Sequence, residues 1–198
     1  MQLRTLCKLV FIALAAQACA ATPPTRFYVL ETVSPLASTD PIKTQSPIIG
    51  IGPITIPTLL ERKQIVNRTA NNNVEFAEFD QWASPLKDNI VQVLRGNLSH
   101  LVPNKLFRAY PWAAFGGVDF RLVIEVTQFD AKTGELANLE ANWTLINEKN
   151  HNIINNGVYK TEQRLNDSSY ESMVSALNNL LAKLSQQLAE ATNKNISR

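Results

Sequence analysis

Cysteine and histidine are nearly absent from this chain, with two of each in 198 residues. Cys7 falls in a segment expected to be removed, which leaves Cys19 by itself. No intrachain disulfide and no cysteine-based metal site can then form. His100 and His151 fall in segments of different expected structure, which argues against a His-rich metal site. Net charge is also lacking. The formal +2 comes from Arg4 and Lys8 in the first 18 residues; the rest balances 17 basic against 17 acidic side chains. Such a domain has no electrostatic case for a polyanion, so nucleic acid is excluded as a partner. There is no G-x-S-x-G, no P-loop and no H-E-x-x-H. An enzyme is not expected, and no cofactor is implied.

What is present begins with export. Met1 to Ala18 has a basic start (Arg4, Lys8), the apolar run LVFIALAA and small residues after it. The run is too short to span a bilayer and reads as a bacterial-type secretory signal. Two processing routes stay open. A plain signal could be cut after Ala18 or Ala20, both of which satisfy an A-x-A pattern. A lipoprotein signal would be cut before Cys19, which would carry the lipid. Its local motif, AAQAC, has Ala16 where leucine is usual. A lone cysteine just there, followed by the tether AATPPT, favours lipidation. Two or more acyl chains, at about 0.8 kcal/mol per buried CH₂, anchor a protein stably, whereas one does not. Ala20 rather than aspartate after the cysteine implies export to the outer membrane.

The remainder divides into a tether (19–25), one domain (26–192) and a short tail (193–198). RFYVLE (26–31) predicts a first strand, followed by a loop rich in Ser, Thr, Pro and Asp. Residues 48–68, IIGIGPITIPTLLERKQIVNR, predict a buried strand, a Gly-Pro punctuated bend, an apolar bulge at Pro57–Lys63 and another strand. Gly50 and Gly52 permit close approach of another backbone, or a bulge. Pro53 and Pro57 exclude the helix that a dinucleotide fingerprint would need. Leu59 and Leu60 at the tip of the bulge either pack inward or face a partner chain or lipid.

VEFAEFD (74–80) predicts a strand with Trp82 packed at its end. Ser84 as N-cap and Pro85 as first residue predict a helix carrying Leu86, Ile90, Val93, Leu94, Leu98 and Leu101, stopped by Pro103. Three alternating runs, 118–129, 136–146 and 153–164, predict an antiparallel meander, the third broken at Asn156-Gly157. Ser168 to Glu171 reads as a capping box for a last helix ending near Thr192. Its stripe is Tyr170, Met173, Val174, Leu177, Leu180, Leu181, Leu184 and Leu188. The sum is a two-layer α+β fold, a mixed and largely antiparallel β-sheet with two long α-helices packed on one face. Asp80, Asp119, Glu125 and Glu140 could suggest acid–base chemistry. Three of them sit at outward strand positions or strand ends, the usual place for solvated charge.

The series IGIGPITIPTLLERKQIVNR, AEFDQWASPL, YPW, DFRLVIEVTQFD and LEANWTLIN resembles the ABC-type transport auxiliary lipoproteins of the PqiC (YmbA) family. The order and spacing match from RFYVL to the last helix. The family loop usually has an aromatic residue and a proline; here it reads Thr58 to Gln64 with Lys63 at the proline position. Gln81 and Ser84 replace a usual arginine and glutamate. The resemblance implies a non-catalytic outer-membrane lipoprotein facing the periplasm. It implies docking to an MCE-domain protein of a system that moves lipids between the inner and outer membranes, and assembly as a homo-oligomer. Cys19 would be the lipidation site. Leu59, Leu60, Glu61 and Arg62 would be the partner contacts. A soluble periplasmic binding module with an ordinary cleaved signal is the alternative.

Overall fold

The computed structural model describes residues 23–33, 46–69 and 73–196. Within them the chain forms one eight-stranded sheet and two long helices. The strands are β1 (Arg26–Tyr28), β2 (Ile48–Thr55), β3 (Gln64–Arg68), β4 (Val74–Trp82), β5 (Leu106–Ala109), β6 (Phe120–Ala131), β7 (Leu136–Asn147) and β8 (Ile153–Arg164). The helices are α1 (Leu86–Leu101) and α2 (Tyr170–Asn195).

The sheet forks at β6. One edge of β6 carries the antiparallel meander β6–β7–β8. The other edge is shared. β2 pairs with it in parallel from Phe120 to Glu125, and β3 meets it at Ala131. β5 extends the sheet beyond β2, and β4 then β1 extend it beyond β3. The sheet is therefore mixed as expected. Its parallel pairings are short, and the long ladders are antiparallel.

Alternation explains which face is covered. In β7, Ala137, Leu139, Ala141, Trp143 and Leu145 are buried and the residues between them are not. A strand with one wet face shows this pattern. Helices α1 and α2 pack on each other and on the sheet, α1 over β2 and β5 and α2 over β7 and β8. Ile90, Leu94, Leu98, Leu180, Leu181, Leu184 and Leu188 all lose their solvent contact there. Leu101, expected in the α1 stripe, is exposed in the last turn.

β2 is an interior strand, with β5 and β6 on its two edges and Ile49 and Ile51 fully buried. Its glycines explain themselves through the segment after β5. A Cβ on Gly50 would lie 2.7 Å from the Trp112 ring. Gly52 has φ +119°, and a Cβ there would lie 2.8 Å from Tyr110 Cβ. The β2 register against β6 shifts between Ile51 and Ile54, a bulge of the kind that glycine permits. The bulge expected at these glycines is present, but the close approach is made by the Trp112 and Tyr110 side chains and not by another backbone.

Several local readings change. Pro85, not Ser84, holds the N-cap position of α1, with no side-chain cap bond. Ser169, one residue later than expected, caps α2 by accepting from the Ser172 N–H at 3.1 Å. β8 runs unbroken through Gly157, because the missing side chain leaves room for the Trp143 indole, 3.0 Å from where a Cβ would sit. α2 continues to Asn195. β1 ends at Tyr28, and the following residues are held by helix side chains instead of a strand. Asn89 accepts from the Leu30 N–H at 2.7 Å and donates to the Leu30 carbonyl at 3.1 Å. Asn178 accepts from the Glu31 N–H and Asn97 from the Val33 N–H, each at 3.0 Å. The loop expected after β1 lies mostly outside the described residues.

Candidate docking site

The loop between β2 and β3 carries four of the five expected site residues; Cys19 lies outside the described residues. Thr58–Leu60 form one 3₁₀ turn, closed by the Leu60 N–H on the Pro57 carbonyl at 2.8 Å and the Glu61 N–H on the Thr58 carbonyl at 3.1 Å. The turn points its two leucines inward. Leu60 is 5% exposed and belongs to the core, and Leu59 is half-buried against it. Glu61 and Lys63 are exposed, and Arg62 is half-buried. The loop thus turns Glu61, Arg62 and Lys63 toward solvent, while the leucines hold it to the domain.

Arg62 is fixed in place. Its Nε donates to the Leu59 carbonyl at 2.9 Å, and its guanidinium carbon lies 3.7 Å from the centroid of the Phe76 ring. Phe76 is itself 45% exposed, on the outer part of β4. A guanidinium stacked on an aromatic face keeps its charge and loses much of its freedom.

Beside Arg62 opens a half-open cavity of about 400 Å³. Ile56, Trp82 and Leu86 supply apolar wall; Arg62, Lys63 and Lys87 bring three cations, and Glu61 one anion. Trp82 is held beside the cavity by its backbone N–H, which donates to the Lys63 carbonyl at 2.7 Å. Among the described residues, no carboxylate forms an ion pair with Arg62, Lys63 or Lys87. Such a lining can hold a ligand by apolar contact and positive charge. Sequence reasoning placed Lys63 in the bulge but missed Trp82 and Lys87 as part of this surface.

The carboxylates are dispersed. Asp80 is 5% exposed, contrary to a solvated strand-end position. Its Oδ1 lies 2.8 Å from Arg26 Nε and 2.7 Å from the Tyr28 hydroxyl. Glu171, at the start of α2, meets the same two residues at 3.1 and 3.0 Å. This cluster ties β1 to β4 and to α2. Burial, and then hydrogen bonding to the two carboxylates, push the Tyr28 hydroxyl well above the usual tyrosine value. A hydrogen bond from its own backbone, and then the Tyr28 hydroxyl, hold Glu171 below the usual glutamate value. Arg68 likewise pairs with the buried Asp130. Among the described residues no cluster of His, Cys, Asp and Glu could hold a metal ion. No described helix is long and apolar enough to cross a membrane.

Comparison with known proteins adds a family. The profile of the ABC-type transport auxiliary lipoprotein component matches residues 28–189. Among solved structures, the chain is similar to an uncharacterized protein at 21% identity and TM-score 0.70, covering 85% of this chain and 99% of that one. It is also similar to a Xanthomonas campestris protein of the DUF330 family, at 14% identity and TM-score 0.66, covering 85% and 94%. These two likenesses concern the fold. Among curated proteins, none matches.

Proposed function

We propose that this chain, which belongs to the family of ABC-type transport auxiliary lipoprotein components, is an outer-membrane lipoprotein that faces the periplasm and docks a transport machine there. The family match across residues 28–189 is the observation that carries this reading. In it, Cys19 carries the lipid and residues 20–25 tether the domain to the membrane. The partner is an MCE-domain protein of a system that moves lipids between the two membranes. The chain performs no reaction. It acts as the outer-membrane end of the conduit, as a homo-oligomer, and the loop around Glu61, Arg62 and Lys63 supplies partner contacts.

The arrangement suits that role. The Pro57–Lys63 loop is short, closed by its own hydrogen bonds and pinned by Leu60, so it presents its charges from a rigid base. Rigid presentation limits the ordering entropy lost on association. Replacing Cys19 with alanine and fractionating membranes tests the anchor. The Cys19→Ala protein should leave the outer-membrane fraction; retention at wild-type levels overturns the lipid anchor. The soluble alternative has one specific support, Ala16 at the usual leucine position of the processing motif. An unacylated mature N-terminus would decide for it.

A further inference from the structure

The cavity beside Arg62 is apolar on one side and cationic on the other, and among the described residues no carboxylate forms an ion pair with the cations of its rim. We propose that it receives one bulky apolar side chain of a partner polypeptide, flanked in that partner by carboxylates. The inference deepens the docking role proposed above, and rests on it for the existence of a protein partner.

Two observations select this occupant. The first is charge. Arg62, Lys63 and Lys87 line the opening, and no described carboxylate forms an ion pair with any of them. Glu61 is the single opposing charge in the lining. A partner with acidic residues on the Lys63 and Lys87 sides, away from Glu61, complements this rim. Arg62 is already oriented by the Leu59 carbonyl and the Phe76 ring, so little freedom is lost when it meets a carboxylate. The second is size. Cavities that enclose small ligands run from about 300 to 1,000 Å³. At about 400 Å³ and half open, this one lies at the small end of that range and has room for one anchoring side chain against Ile56, Trp82 and Leu86.

The test is an NMR titration of the purified full chain with the blocked peptide acetyl-Asp-Glu-Leu-Glu-Asp-amide at low salt. The expected result is shifts concentrated at Lys63, Trp82, Ala83 and Lys87. Affinity should fall at least tenfold for the double variant Lys63→Glu and Lys87→Glu. It should fall likewise for a peptide with serine in place of leucine, and weaken as salt shortens the screening length. Lys63 and Lys87 are exposed, and an acid in the first turn of α1 is favoured by the helix dipole, so the double variant keeps its fold. Its thermal midpoint is the check. The proposal is overturned if the double variant binds the acidic peptide as well as wild type does. Equal binding of a Lys-Lys-Leu-Lys-Lys peptide, or shifts confined to another surface, also overturn it. So does lysophosphatidylglycerol shifting these amides while the peptide does not. If peptide binding fails while the Cys19-dependent anchor stands, the cavity assignment falls and the envelope role survives. If binding holds while the anchor fails, the reverse is true.

Discussion

Leu60→Ala separates the structural role of the Pro57–Lys63 loop from the docking role proposed for it. At 5% exposed, Leu60 is a core residue at the end of a three-residue 3₁₀ turn. Truncating a buried leucine to alanine costs about 2–5 kcal/mol, including the cavity left behind. For a domain of about this size each kcal/mol moves the thermal midpoint by roughly 2–4 °C. The expected fall is therefore about 4–20 °C. Arg62→Ala should act differently. It removes a partly exposed guanidinium–aromatic contact worth about 0.5–1 kcal/mol and a side-chain-to-backbone hydrogen bond worth about 1 kcal/mol. Its midpoint should fall by only a few degrees, while its contact with the partner is lost. Leu60→Asp would place a charge in the core and should abolish cooperative folding. The assay is thermal unfolding of the three variants followed by far-UV circular dichroism. If Leu60→Ala melts within 2 °C of wild type, Leu60 does not anchor the loop. The inward reading of this turn would then be wrong, and the leucine would return as a contact residue.

Gly50→Val should drive the Trp112 ring off β2, because the new side chain would start 2.7 Å from that ring. Overpacking of this kind costs about 1–3 kcal/mol, and a red shift of indole fluorescence would report the displaced ring. Asn97→Ala should leave the exposed Val33 N–H to water and the buried Ser185 without the Asn97 amide, the second loss costing about 1–3 kcal/mol. Faster hydrogen exchange at Val33 in the variant than in wild type, with Ile90 unchanged, would show it. Tyr28 has a raised folded pKa, so its contribution to stability is complete below the usual tyrosine value near 10 and declines as pH rises above it. Tyr28→Phe should flatten that alkaline decline. Glu171 has a lowered folded pKa, so its contribution is present above the usual glutamate value and lost as pH falls through the folded one. Glu171→Gln should remove that component from the acid limb of a stability–pH curve.

The parts of this fold that were legible in the sequence are those governed by period. β6 and β7 alternate because helices cover one face and water the other, so Leu122, Ile124, Leu139 and Trp143 announce themselves. Both helices show their stripes for the same reason. What was not legible depends on residues far apart in the chain. The fork at β6 is set by β2 and β3 reaching the same edge, which no local pattern encodes. Gly157 read as a break because its partner, the Trp143 ring, lies on another strand. Asp80 read as surface charge because Arg26 and Glu171, which share its cluster, stand far from it in sequence. Pro85 displaced Ser84 from the cap because its φ of −51° and ψ of 125° suit the residue just outside a helix. In the docking loop the charges were visible and the direction of the leucines was not. An apolar pair in a bulge has the same sequence whether it faces inward or out. Lys87 and Trp82 join Arg62 only through the pairing of β3 with β4.

The most direct measurement is co-purification from the outer-membrane fraction, using the tagged full chain and its Arg62→Glu, Lys63→Glu double variant. The account predicts that an MCE-domain protein is recovered with the wild-type chain and lost with the double variant, while both stay folded and membrane-bound. A folded, anchored wild-type chain that recovers no MCE-domain protein would contradict it.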